Sequence, residues 1–236
     1  MAQIHKLHRG ELLLQKRRNT PEELGAIIPQ YIYSNMPQQH ADFFSDLSYL
    51  PLATLDNGGR PWVSLLITTS DDDPTIGIEI KGDNRTDIFA VTTPYDPFAR
   101  ALTQKQTSAN EERLFAGVGI DFINRRRNKI AGSISQAFVE ETGKVRLQLL
   151  SDQHLGNCPK YITVRSLAYE RRAAELYYDH FDTNTSTLPV DAKEVVERAS
   201  TVFLATKHTA EADVMGTRTD MGVNHRGGIP LSLIHI

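Results

Sequence analysis

The 236-residue sequence contains one cysteine, Cys158, and one tryptophan, Trp62. A single cysteine cannot form a disulfide within the chain, which excludes the disulfide-stabilised class and predicts a reducing, cytoplasmic compartment. Apolar runs are only a few residues long, as at Leu12–Leu14, whereas a membrane-spanning helix needs about 20 such residues. The first residues, Met1–Lys6, lack the apolar region of a secretory signal, so we expect none.

Neither sign of charge is in excess. The 26 Lys and Arg residues and 29 Asp and Glu residues give a net charge of −3, which does not favour a nucleic-acid partner or a membrane surface. The sequence has no GxGxxG or GxxxxGK[ST] motif, so the classical dinucleotide-binding and P-loop folds have no direct support. Its eight histidines are scattered without HxH or HExxH spacing, and we expect no metal site.

Short strands joined by tight turns dominate the middle of the chain. Leu52–Leu55 and Arg60–Ile67 flank Asp56-Asn57-Gly58-Gly59, a strong hairpin signal because Asn and Gly tolerate positive φ. Further strands are predicted at Thr75–Ile80, Asp87–Thr92, Leu114–Phe122, Lys129–Glu140 and Lys144–Leu150. These strands follow one another through turns, an order that favours an antiparallel β-barrel over a parallel α/β sheet.

Short helices are predicted around this block, at residues 40–50, 96–102, 168–178 and 191–199. We therefore divide the chain into an N-terminal extension (residues 1–40), the barrel (41–166) and a helical connection that leads into a partial second barrel-like unit (167–230). The second unit is inferred from a short internal echo, because Val202–Lys207 resembles Leu50–Leu55.

The densest cationic run is Arg125-Arg126-Arg127-Asn128-Lys129, between two predicted strands. Alternate residues of a strand share a face, so Arg125 and Arg127 would converge on a phosphate while Arg126 points away. The alternative interpretation is a solvated basic turn.

Three other features are candidates for binding. Lys160 supplies a point charge beside Cys158, but no neighbouring residue indicates a reactive thiol. Arg226 precedes two glycines that permit close backbone approach, which suits a phosphate or a ring carbonyl. Both segments are alternatively simple turns. Trp62 lies on an alternating strand and belongs either to the core or to the wall of a planar ligand site.

Five motifs in this order resemble the FMN-binding split-barrel proteins related to pyridoxamine 5′-phosphate oxidase, over about residues 8–230. They are His8–Gln15, Gly59–Leu66, Arg125–Gly132, Asn157–Ile162 and Asn224–Gly228. The resemblance implies a mainly β, antiparallel split barrel that binds FMN and acts as an oxidoreductase on a small-molecule substrate. A nicotinamide or a reductase module would be the electron donor. Such barrels hold the flavin at a two-fold interface, which implies a homodimer or a second unit within the chain.

The residues that the resemblance implies to bind the cofactor are Trp62, Ser64, Arg125, Arg127, Asn128, Lys160 and Arg226. Arg125 and Arg127 are assigned to the phosphate, and Ser64 to the phosphate or the ring. Lys160 and Arg226 would stabilise negative charge near the N1–C2 region of the flavin. No catalytic acid or base is assigned.

Two other interpretations keep the barrel. It would bind another planar cofactor, haem or a deazaflavin, or it would be a flavin-binding interaction or redox-sensing module without turnover. After Arg226-Gly227-Gly228 the family pattern continues as a strand with Gly-Phe-Val, whereas this sequence has Leu231–Ile236. That tail resembles a translated transposase adapter, so residues 231–236 are predicted to be non-native. Relatives also more often carry Asp-Val-Ser where this chain has Gly222-Val223-Asn224.

Overall fold

The computed structural model describes residues 9–21, 23, 31–82, 84–93, 96–104, 113–157, 162–168 and 187–207. Its strands are β1 (Tyr49–Leu55), β2 (Pro61–Ile67), β3 (Gly77–Ile80), β4 (Arg85–Val91), β5 (Leu114–Asp121), β6 (Arg126–Val139) and β7 (Lys144–Asn157). They form one antiparallel sheet in the order β2-β1-β5-β6-β7-β4-β3.

The sheet closes on itself, because Ile67 of β2 also pairs with Val91 of β4. Six strands therefore form a closed barrel, and β3 is attached outside the ring through β4. This architecture confirms the predicted mainly antiparallel barrel and is consistent with the split-barrel type. The second barrel-like unit stays a prediction, since Val202–Lys207 forms no regular strand and residues 208–230 lie outside the described residues.

The predicted hairpin is present, with Leu55 opposite Pro61. Its turn differs from the expected one, in which Asn and Gly both take positive φ. Here Gly59 alone among the turn residues does so, with φ of 71°, and its N–H donates to the Asp56 carbonyl oxygen at 2.8 Å. This is the pattern of a three-residue hairpin loop, in which a type I turn is followed by a residue in the left-handed αL conformation.

The helices are α1 (Arg9–Arg17), α2 (Gln38–Ser45), α3 (Pro97–Thr103) and α4 (Val190–Arg198). Asp96 caps the N-terminus of α3, because its carboxylate accepts from the Phe98 N–H at 2.8 Å. The helix predicted over 40–50 ends at Ser45, so Leu50 belongs to β1. The helix predicted over 168–178 lies outside the described residues except for Ala168. No helix in the described ranges is long and apolar enough to cross a membrane.

Both faces of the barrel wall are covered along β5 and the first half of β6. Inside, the rings of Phe43 and Phe44 from α2 pack with the core residues of the strands. Outside, Phe203 packs against the cluster that contains Ile120 and Phe122, and Ala205 packs against the cluster of Ala53 and Leu114. Residues 201–207 therefore lie on the outer surface of the barrel. This position sets the surroundings of the cationic strand β6.

Candidate cation site on β6

The arginine run begins in a turn, and β6 starts at Arg126. Arg125 is exposed and has φ of 60°, an uncommon conformation for a residue with a side chain. The Asp121 carboxylate accepts from the Asn124 amide at 2.6 Å, and the Asn124 side-chain oxygen accepts from the Arg126 N–H at 2.7 Å. These hydrogen bonds stabilise a turn that includes Arg125, so the strand begins only at the next residue. The expectation that Arg125 shares a strand face with Arg127 is therefore wrong.

Arg126 points away from the face of Arg127, as expected, and lies against α2. Its guanidinium carbon lies 4.8 Å from the ring centroid of Phe43, and its Nη2 atom donates to the carbonyl oxygen of Gln39. Both partners belong to α2, so Arg126 joins the start of β6 to that helix.

Arg127 and Lys129, which we call the cation pair, are buried on the outer face of β6, with 3% and 4% of their surface exposed. Their cross-strand neighbours on β5 are Ile120 and Val118. Directly paired residues share a face, and Ile120 belongs to the outer cluster that contains Phe203. Residues two apart on a strand stand about 7 Å from each other. Lys and Arg are rarely this buried unless negative charge or hydrogen bonds compensate them.

An aromatic pair packs in the same outer cluster as Ile120, the cross-strand neighbour of Arg127. The rings of Tyr49 and Phe122 are stacked, with centroids 6.5 Å apart and planes 17° from parallel. The Tyr49 hydroxyl donates to the carbonyl oxygen of Ile120 at 2.7 Å. Burial, with a smaller effect of the Asp121 charge, raises the pKa of Tyr49 to about 12. Tyr49 is thus a neutral aromatic surface with its hydroxyl already engaged.

Trp62 and Ser64 lie on β2, three strand positions from β6 or about 14 Å along the sheet. They share the inner face with Leu66, a core residue. Ser64 is buried, and its hydroxyl donates to the Asp96 carboxylate. The structure does not bring these two residues together with Arg127. Their cofactor-binding roles stay predictions.

Asn128 is buried on the face of β6 opposite to Arg127, next to α2. Its Oδ1 atom and the Nε2 atom of His40 lie 3.8 and 3.2 Å from the position that a Cβ atom on Gly156 would take. Burial lowers the pKa of His40 to about 4, with further effects of His154 and Arg126. Asn128 therefore adjoins a neutral imidazole, separate from the cation pair.

The remaining predicted site residues, Lys160 and Arg226, lie outside the described residues, and their roles stay predictions. Within the described ranges, no group of three or more His, Cys, Asp or Glu side chains is arranged to hold a metal ion.

Sequence reasoning missed Lys129 as a site residue, although it follows Arg127 by two and the alternation rule already pointed to it. It also missed the stacking of Tyr49 on Phe122. These residues are 73 positions apart, and no local pattern signals that contact.

Comparisons with known proteins identify no family. No family model and no curated protein matches the chain. Among solved structures, one described as an F420 reductase matches at 14% identity, covering 50% of this chain and 98% of that chain, with a TM-score of 0.33. The site geometry and the motif series therefore carry the functional argument.

Proposed function

We propose that this barrel binds FMN on the outer face of β6 and acts as an FMN-dependent oxidoreductase. The observation that carries the proposal is the burial of the cation pair, Arg127 and Lys129, on one strand face. Two cations about 7 Å apart on one strand face are close enough for a single bound phosphate to contact both. A phosphate monoester carries up to two negative charges, and its oxygens accept from the planar fork of Arg and the ammonium of Lys.

The neighbouring aromatic pair favours a phosphate ester with a planar ring over inorganic phosphate. Ile120 lies directly across from Arg127, and Phe122 follows Ile120 by two residues. The stacked rings of Tyr49 and Phe122 provide an apolar wall on that side. The motif series described above supports the same cofactor. When bound, FMN supplies the redox chemistry itself.

The chain's own residues bind and orient in this proposal. Arg127 and Lys129 hold the phosphate, and Tyr49, whose pKa is raised to about 12, stays neutral and provides a surface at physiological pH. The proposed substrate is a small molecule, the proposed electron donor a nicotinamide or a reductase, and the proposed assembly a homodimer in the cytoplasm.

Titration of the purified chain with FMN and with riboflavin, which lacks the phosphate, tests the binding site. The double variant Arg127→Met and Lys129→Met keeps much of the side-chain volume but removes both charges. Loss of charge-assisted bonds to phosphate weakens FMN binding by at least about 30-fold and leaves riboflavin binding nearly unchanged. The matched control is Lys193→Met with Arg198→Met on the exposed surface of α4, which should bind FMN like the unaltered chain.

Three results would overturn the proposal. They are the absence of FMN binding at micromolar concentration, equal losses for FMN and riboflavin in the double variant, and displacement of FMN by equimolar haemin or deazaflavin. Turnover is measured separately, as FMN-dependent oxidation of NADH or NADPH. A chain that binds FMN but oxidises neither NADH nor NADPH, and does not oxidise pyridoxamine phosphate, would be a flavin-binding module without enzymatic activity.

A further inference from the structure

The start of β6 is held between two different surroundings. Arg127 and Lys129 lie on the outer face, whereas Arg126, one residue earlier, contacts α2 through the Phe43 ring and the Gln39 carbonyl oxygen. The peptide group that leads into the cation pair is therefore connected to a helix on the other side of the barrel wall.

Helix α2 is a rigid partner for this contact. Phe43 and Phe44 are buried in the barrel core. A Cβ atom on Gly119 of β5 would stand only 2.7 and 2.8 Å from their rings, so the helix packs closely against that strand. Because the core fixes α2, the groups that Arg126 meets are fixed as well.

The turn holds Arg126 from the other direction. Its backbone N–H donates to the Asn124 side chain at 2.7 Å, and Asn124 in turn donates to Asp121 at 2.6 Å. Arg126 thus has its backbone fixed by the β5–β6 turn and its side chain fixed by α2. These two constraints fix the backbone at the start of β6 and therefore the direction of the Arg127 side chain.

We propose that Arg126 is a positioning residue for the cation pair. It does not contact the phosphate; by anchoring the first residue of β6 to Phe43 and Gln39 of α2, it sets the orientation of Arg127 and Lys129 that binds it. This inference rests on the proposed function and adds to it a residue on the opposite face of the strand.

The variant Arg126→Ala tests the inference, with dissociation constants of FMN and riboflavin measured over a range of ionic strength. FMN binding weakens about tenfold, as expected for misaligned charge-assisted bonds, and riboflavin binding changes less than about twofold. The salt dependence of FMN binding keeps its slope, because both charges that contact the phosphate remain. A residue that merely stabilised the fold would weaken both ligands alike.

Two further variants separate position from charge. Phe43→Leu removes the ring beneath Arg126 while every charge remains, and it also weakens FMN more than riboflavin. Arg126→Lys retains a cation over Phe43 and recovers part of the FMN affinity. Arg198→Ala on α4 is the control for loss of a distant arginine.

The outcomes distinguish the two proposals. An unaltered chain that does not bind FMN overturns the proposed function and this inference together. The inference alone is overturned if the unaltered chain binds FMN and the Arg126→Ala variant gives any of three results. These are normal FMN binding, an equal loss of FMN and riboflavin binding, or a reduced salt dependence of FMN binding.

Discussion

Trp62 donates its indole N–H to the Asp56 carboxylate at 2.9 Å. The same oxygen accepts from the Arg60 side chain at 2.7 Å, and the other oxygen accepts from the Arg60 N–H at 2.9 Å. The Asp56 side chain is completely buried. One carboxylate therefore ties the β1–β2 turn to the only tryptophan of the sequence.

We expect Asp56→Ala to lower the free energy of unfolding by about 3 kcal/mol, because it leaves buried donors without their acceptor. Burial opposes ionisation of Asp56, but the hydrogen bonds from Trp62 and Arg60 outweigh it, so its pKa lies below the ordinary value of 3.8. The carboxylate therefore contributes stability above about pH 3.8, and this contribution is lost as the pH falls through the lower folded-state pKa.

Urea unfolding at pH 7 and pH 3 measures both effects. The control is Asp71→Ala in an exposed turn, which should change stability by less than about 0.5 kcal/mol. Equal losses in the two variants, or a variant at Asp56 as acid-sensitive as the unaltered chain, would contradict the prediction.

Gly132 lies where the register of β6 and β7 shifts. A Cβ atom there would stand 2.1 Å from the Leu150 carbonyl oxygen and 2.7 Å from the Ser151 Cα atom, both of them backbone. We expect Gly132→Ala to cost at least about 3 kcal/mol, because one of the two strands must move. Thermal unfolding measures the loss.

Gly77 on β3 is the matched control. No atom lies within 4 Å of the position of its Cβ, so Gly77→Ala should change stability by less than about 0.5 kcal/mol. Neither glycine has positive φ, so backbone strain does not enter the comparison. Similar melting temperatures for the two variants would contradict the prediction, because β6 and β7 would then accommodate a Cβ atom at their register shift without cost.

The folded chain resists protonation of His40, whose pKa is about 4 instead of 6.5 because of burial and, to a lesser extent, His154 and Arg126. Between these values the unfolded chain binds a proton that the folded chain does not. Stability associated with the neutral ring is therefore present above pH 6.5 and is lost as the pH falls towards 4, by about 3 kcal/mol in total.

The variant His40→Gln should flatten this part of the stability profile, measured by urea unfolding from pH 7.5 to pH 4. Part of the slope remains, because burial also lowers the pKa of His154. A slope as steep in the variant as in the unaltered chain would refute the assignment to His40.

The barrel was predictable because its signals are local. Period-two alternation marks strands such as Pro61–Ile67, and Asp56–Gly59 marks a turn. The faces of β6 were not predictable. Every residue from Arg127 to Gly132 is buried, so the usual contrast between a covered and a solvated side is missing. The strand also begins three residues earlier than predicted, at Arg126 instead of Lys129, directly after a turn in which the Asn124 side chain accepts from the Arg126 N–H.

The candidate site was predictable in part for the same reason. Alternation places Trp62 and Ser64 on one face of β2, but its prediction for the arginine run, which put Arg125 on the same face as Arg127, was wrong because β6 begins only at Arg126. It does not show that Ser64 donates to Asp96, 32 residues away. Contacts of that separation follow from how the ring closes, and no window of the sequence contains them.

A closed ring of strands has no open edge, but β3 joins the ring from outside through β4, and no other strand of the described residues pairs with it. An edge of this kind is a template on which another polypeptide can add a strand. Here it is four residues long, and the ion pair of Glu79 with Lys81 at 2.7 Å places two charges at its end. Short edge strands and charged residues discourage the addition of a strand from another chain. β3 has both features, so the edge that it presents is protected against unwanted association.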